Sequence, residues 1–97
     1  MIVEIITPEM EVFKGEAEAI QLPGMDGSFQ ILNNHAPIIS ALAEGKVKVN
    51  LTAPYEVEEG KENPLIEQKG SDKKEIFVSI KGGVIELNNN KAIVLAE

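Results

Sequence analysis

Along most of this chain apolar residues return at every second position, the spacing of a strand that turns one face to a core. In Ile2 to Ile6, Val3 and Ile5 fall on one side of an extended segment, with Ile2, Glu4 and Ile6 on the other. Val47, Val49 and Leu51 alternate with Lys46, Lys48 and Asn50, which predicts a strand with one wet face. Near the end, EIFVSI (75–80), VIEL (84–87) and AIVLA (92–96) are β-branched runs separated by Gly82-Gly83 and by Asn88-Asn89-Asn90. Asp26-Gly27 stands between Ile20-Gln21-Leu22 and Phe29-Gln30-Ile31-Leu32 and reads as a hairpin turn, with Gly24 and Gly27 expected either at positive φ or at the close approach of a partner backbone. Ile38 to Ala43 fits either a short helix or an extended segment. With about eight or more short strands and no long helical pattern, the expected fold is all-β, an antiparallel β-sandwich or flattened barrel.

The alternation fails between Leu51 and Lys74, where TAPYEVEEGKENPLIEQKGSDKK mixes two prolines and two glycines with a run of charges. Residues 52–74 are therefore expected to leave the core as a long insert loop, flap or extended hairpin with its tip near Glu59-Gly60-Lys61. The 97 residues otherwise make one domain, residues 1–97, with no internal repeat.

Charge and composition narrow the function. Sixteen acidic against nine basic residues give a net charge of -7, which repels a polyanion, and three Phe, one Tyr and no Trp offer few stacking platforms. Nucleic acid is thus not an expected partner. No apolar run reaches the roughly 18 to 20 residues of a membrane helix, and the N-terminus lacks the basic flank of a secretory signal, so a cytoplasmic chain without membrane insertion is expected. The absence of Cys removes disulfides, thiolate nucleophiles and sulfur-ligated zinc.

No catalytic constellation emerges. His35 is the only imidazole, none of Ser28, Ser40, Ser71 and Ser79 sits in a nucleophile-elbow sequence, and LPGMDG fits neither a P-loop nor a dinucleotide fingerprint. The acidic residues follow no metal-ligand spacing, so no catalytic, cofactor or metal residues are assigned. His35 reads as a ring bonded to nearby backbone that fixes a turn ahead of Pro37, or as a residue at a subunit contact. Ile38, Ile39 and Leu42 read as core, but a continuous apolar run cannot turn every side chain to one face, so at least one is expected to face outward.

The order of these segments carries a resemblance. TPE with VFKGEAE, then LPGMDGSFQIL, NHAPIISAL, the strand after Gly45 and the closing IKGGVIELNNNKAIVLAE resemble the N-terminal domain of the epsilon subunit of F-type ATP synthases, in order over about three quarters of the chain. The resemblance implies a β-sandwich of roughly ten strands. It also implies a non-catalytic central-stalk subunit that binds the gamma subunit and rests on the c-ring, at the cytoplasmic side of an energy-coupling membrane. In the family the side toward gamma corresponds to Thr7, His35, Ala36, Pro37, Ile38 and Ser40, and the turn toward the ring to Met25, Asp26, Gly27, Ser28 and Phe29. The alternative is an acidic β-sandwich adaptor serving another protein partner.

Three positions depart from the family pattern: Asn33-Asn34 replaces a common Pro-Gly before the His, Ser28 stands where an acidic or polar residue is frequent, and residues 52–74 exceed the usual hairpin. Many members continue into a C-terminal helical hairpin, whereas this sequence ends at Glu97; neither nucleotide binding nor helix-mediated inhibition is therefore expected of it. Through a vacant gamma-facing surface, the isolated chain is also a candidate homodimer.

Overall fold

A computed structural model describes residues 1–97. Nine strands follow in order: β1 (Ile2–Ile6), β2 (Glu11–Gly24), β3 (Gly27–Leu32), β4 (Ile38–Leu42), β5 (Gly45–Leu51), β6 (Ile66–Glu67), β7 (Glu75–Ile80), β8 (Gly83–Asn88) and β9 (Lys91–Ala96). No helix forms. The segment Ile38–Ala43, open to a helical reading from sequence, is strand because β4 lies along β8 from Ile38↔Leu87 to Leu42↔Gly83.

The long β2 joins two layers. Its first half pairs with β1, and its second half lies between β3 and β5. A register shift between Ala17 and Ala19 marks the place where the strand passes from one layer to the other, the usual work of a bulge. One layer therefore runs β3-β2-β5-β7-β6, the other β2-β1-β9-β8-β4, and Gly24↔Leu42 is the single residue pair that joins β2 to β4 at their far ends. One pair breaks the all-antiparallel expectation: β1 runs parallel to β9, from Ile2↔Lys91 to Ile6↔Leu95. Period-two patterns carry no strand direction, so sequence could not distinguish the two.

Between the layers lie Val3, Ile5, Ile20, Leu22, Ile31, Val47, Val49, Ile76, Ile85, Leu87 and Val94, all essentially without solvent exposure. No polar side chain is buried among them. The alternation read from sequence in β1 and β5 is the alternation of burial observed.

The turns follow their chemistry with two corrections. Asn89 and Asn90 take φ of 51° and 59° between Asn88 and Lys91, the left-handed pair of a type I′ hairpin. In the β2–β3 hairpin the loop is Met25-Asp26, closed by Gly24↔Gly27, and only Gly27, at φ 119°, lies in the positive region. Gly24 is required for space instead: a Cβ there would stand 2.7 Å from the Gly27 carbonyl and 2.8 Å from the Phe29 ring. Gly82-Gly83 reverses no hairpin. It carries the chain from β7, paired with β5 and β6, to β8, paired with β4 and β9 in the other layer. A Cβ on Gly83 would fall 2.1 Å from the Leu95 carbonyl oxygen.

Residues 52–65 form no strand and run over the flank of β2. The Tyr55 amide donates to the Lys73 carbonyl, and its ring tilts against Phe13 at 6.2 Å between centroids. Asn63 Nδ2 reaches the Val12 carbonyl at 3.4 Å, and the chain turns at Gly60 before β6 pairs with the edge of β7.

Candidate interaction surface

Cross-strand register decides what the β2-β1-β9-β8-β4 layer shows to solvent. Ile38, Ser40 and Leu42 alternate inward on β4, so Ile39 and Ala41 face out. Ala41 stands opposite Val84, Val84 opposite Leu95, and Leu95 beside Ile6 on the parallel neighbour, giving one unbroken apolar row across four strands. The adjacent row reads Ile39, Glu86, Ile93, Glu4 and Lys14. Ile39 is 74% exposed and Leu95 53%, values that leave large aliphatic surface in water.

The charges of that face lie in the row beside the apolar one, where Glu86 stands exposed between Ile39 and Ile93 and Glu4 is paired. Glu4 Oε1 lies 3.5 Å from both Lys14 Nζ and Lys91 Nζ, so the carboxylate is neutralised from two sides and the apolar row runs past it. Contiguous exposed aliphatic residues with charged residues confined to the neighbouring row are the pattern of a surface that meets a partner.

The residues singled out from sequence divide between the two ends of the sandwich. Met25, Asp26, Gly27 and Ser28 are exposed on the β2–β3 turn, while Phe29 is half-buried and packs onto the core. The Phe29 ring closes over Gly24, which makes the turn a stiff knuckle rather than a loose loop. Thr7 belongs to the same end, since Ile6 pairs with Leu95 and the neighbouring Ala96 pairs with Gly83. Its Oγ1 accepts from the Met10 amide at 3.2 Å and closes the β1–β2 turn.

His35, Ala36 and Pro37 lie exposed at the opposite end, beside the β8–β9 turn. Thr7 and His35, grouped by resemblance, are thus separated by the length of β1, roughly 15 Å at strand rise. His35 Nδ1 donates to the Ala36 carbonyl at 2.7 Å, and Asn34 takes φ 67°. Asn33 Oδ1 accepts from Asn90 Nδ2 at 2.9 Å, and Asn90 Oδ1 accepts from the Asn34 amide at 2.8 Å. The two amides fasten the Asn33-Asn34 turn to the neighbouring hairpin.

Ile38 is half-buried against the core and Ser40 shares the inward row with Ile85, so on β4 the outward residues are their neighbours Ile39 and Ala41. Val84, Ile93 and Leu95 were not singled out from sequence. The signal was present in each, a second apolar residue out of phase with the core row, but one sequence does not say which side of a sheet is covered. No group of three His, Asp or Glu side chains is assembled anywhere, and His35 has no hydroxyl partner.

Comparison with known proteins agrees with this architecture. Residues 1–60 match the family model described as ATP synthase, Delta/Epsilon chain, beta-sandwich domain. The ATP synthase epsilon chain of Chlorobium limicola is 38% identical over 94 residues, covering 97% of this chain and 85% of that one. The epsilon chain of Salinibacter ruber is 33% identical over 95 residues, and there the match spans 56% of the relative. Among solved structures, a chain of the Tetrahymena thermophila mitochondrial ATP synthase central stalk/cring superposes with a TM-score of 0.67 at 20% identity, covering 99% of this chain and 62% of that one, a likeness of fold. The nine-stranded sandwich described above belongs to the delta/epsilon chain family of ATP synthases, as their β-sandwich domain.

Proposed function

We propose that this domain is a coupling piece of the ATP synthase rotor, seated against the gamma subunit by the outward face of the β4-β8-β9-β1 layer and reaching the c-ring with the Met25–Phe29 knuckle. As a member of the epsilon-chain family the protein is a non-catalytic subunit of a membrane-associated complex. The observation that carries the finer reading is the apolar row Ala41, Val84, Leu95 and Ile6, which the chain leaves in water. A rotor piece transmits torque through contact area and stiffness. The row supplies apolar area, and the paired strands beneath it supply a plate that does not flex side chain by side chain.

Of the residues suggested by resemblance, His35, Ala36 and Pro37 would meet gamma at one margin of this face and Thr7 at the other. Ile38 and Ser40 would act from beneath, by holding Ile39 and Ala41 outward. Met25, Asp26, Gly27 and Ser28 would meet the polar loops of the ring, with Phe29 as the wedge that keeps the turn in shape.

The test is co-purification of tagged chain with the gamma subunit of the same genome, comparing wild type with Leu95→Asp and with Ser79→Asp on the opposite layer. Stoichiometric binding lost only in Leu95→Asp, with circular dichroism unchanged, is the expected result. Equal binding by all three proteins would sink the assignment of this face. A folded wild type that ignores gamma but captures another protein would favour the adaptor reading.

A further inference from the structure

One stretch of the fold carries no charge at all. From Gly27 to Ala43 there is no Asp, Glu, Lys or Arg, so each of the 16 acidic and 9 basic residues lies outside it. That stretch contains β3 and β4, each an edge: β3 pairs only with β2, and β4 pairs with β8 on one side and with β2 at Leu42 alone on the other. Elsewhere the edges are managed, with β6 laid along β7 and β1 enclosed between β2 and β9. The backbone of Ile38 to Ala41 is thus an unpaired ladder beside a groove of about 580 Å³ lined by Gly24–Phe29 and Ile39–Ala41. Proteins ordinarily blunt such an edge with Lys, Pro or a bulge, and within β4 there is none.

We propose that unassembled copies of this chain close the edge by pairing with one another, β4 against β4 in antiparallel register about a two-fold axis at Ser40. Identical antiparallel strands complement each other automatically: Ile39 falls opposite Ala41 of the second copy and Ile38 opposite its Leu42. The layer then continues across both molecules, and the inward Ile38 and Ser40 of each copy lie over the groove of the other. Charge selects the site. Two chains of net charge -7 repel wherever acidic residues meet; the β4 edge itself is uncharged and Asp26 is the one acidic residue lining the groove beside it, so repulsion is weak there. The two-fold is closed, so it uses up the edge instead of propagating it, which protects a free subunit from open-ended strand addition. The proposal does not depend on any other subunit.

Sedimentation velocity on the purified chain over a range of concentrations tests it. Wild type should shift toward twice its 10.5 kDa mass, with backbone amides within Ile38–Ala41 exchanging more slowly in the dimer. Ile39→Lys should raise the dissociation constant at least about tenfold while the fold persists. Leu95→Lys, on the same outward face but away from the edge, should leave dimerisation intact. A wild type that stays monomeric at millimolar concentration would overturn the proposal. So would a dimer lost in Leu95→Lys, which would mean face-to-face packing, or one without added protection at the β4 amides.

Discussion

The two outward faces of this sandwich are made by the same rule and end with opposite chemistry. On the β3-β2-β5-β7 layer the solvent row reads Gln30, Gln21, Lys48 and Phe77, and the next pairs Lys46 with Ser79. Lys46 and Lys48 meet Glu67 and Glu75 at 3.5 and 3.8 Å, so this face is finished in water. On the β4-β8-β9-β1 layer the corresponding row is Ala41, Val84, Leu95 and Ile6. Both layers bury one face of each strand, so core formation does not explain the difference. The second face leaves apolar surface in water beyond what folding uses, and on the proposed reading this is the face that meets gamma.

The largest predicted effect tests whether the layers are one cooperative unit. Gly83, at φ 147°, is where the chain enters β8, and a Cβ there would meet the Leu95 carbonyl at 2.1 Å. Gly83→Ala must push β8 and β9 apart, and we expect a loss of about 3 kcal/mol or more, read by urea denaturation. Gly60→Ala has open space around it, so only the backbone strain at φ 86° remains, and it should cost about 1 to 2 kcal/mol. Equal losses at both glycines would show that the apolar layer is not held by that close approach.

A smaller effect separates the ends of the domain. Asn33 accepts from Asn90, and Asn90 in turn holds the Asn34 amide, where the family pattern has Pro-Gly. Asn33→Ala should cost about 1 to 2 kcal/mol and speed hydrogen exchange at Asn34 and His35. The Met25–Phe29 knuckle, stiffened at the other end by packing of Phe29 over Gly24, should be unaffected. Faster exchange at both ends would mean that the amide pair supports the whole sandwich and not one turn.

Much of this was legible in the sequence because strand burial is periodic. The rows of β1, β5 and β9 follow directly from alternation, and Asn89-Asn90 announces its hairpin by residue type. What alternation hides is pairing. Gly82-Gly83 looks like a hairpin turn locally, yet its neighbours pair in different layers, and β1 meets β9 in parallel across almost the whole chain. The outward apolar face proposed for contact was half visible. Resemblance pointed to the segment from His35 to Ser40, but in an Ile-Ile pair the outward member is set by the partner strand, and Leu87 and Ile85 fix it as Ile39.

The smallest prediction concerns the polar face. Lys69 Nζ stands 5.1 Å over the Phe77 ring, next to Lys46, whose ammonium also faces Glu67. Hydrogen bonding between the two amines, and then the Glu67 charge, holds Lys46 above the ordinary lysine range. The same bond, and then the charge of Lys46, pulls Lys69 below it. A lowered folded value opposes stability while Lys69 is protonated, and this is relieved as pH rises through that value. A raised one makes Lys46 contribute below its unfolded value near about 10.4, a contribution lost as pH climbs through its folded value. Stability should therefore rise slightly as pH approaches the ordinary lysine range from below and fall again above it. Because both groups are exposed, the amplitude should be small and should shrink in salt. Lys69→Gln should flatten the rise while leaving gamma binding unchanged, measured as melting temperature between pH 8 and 11 beside co-purification. If it weakens binding instead, the polar face is also a contact, and the division of labour between the two faces fails.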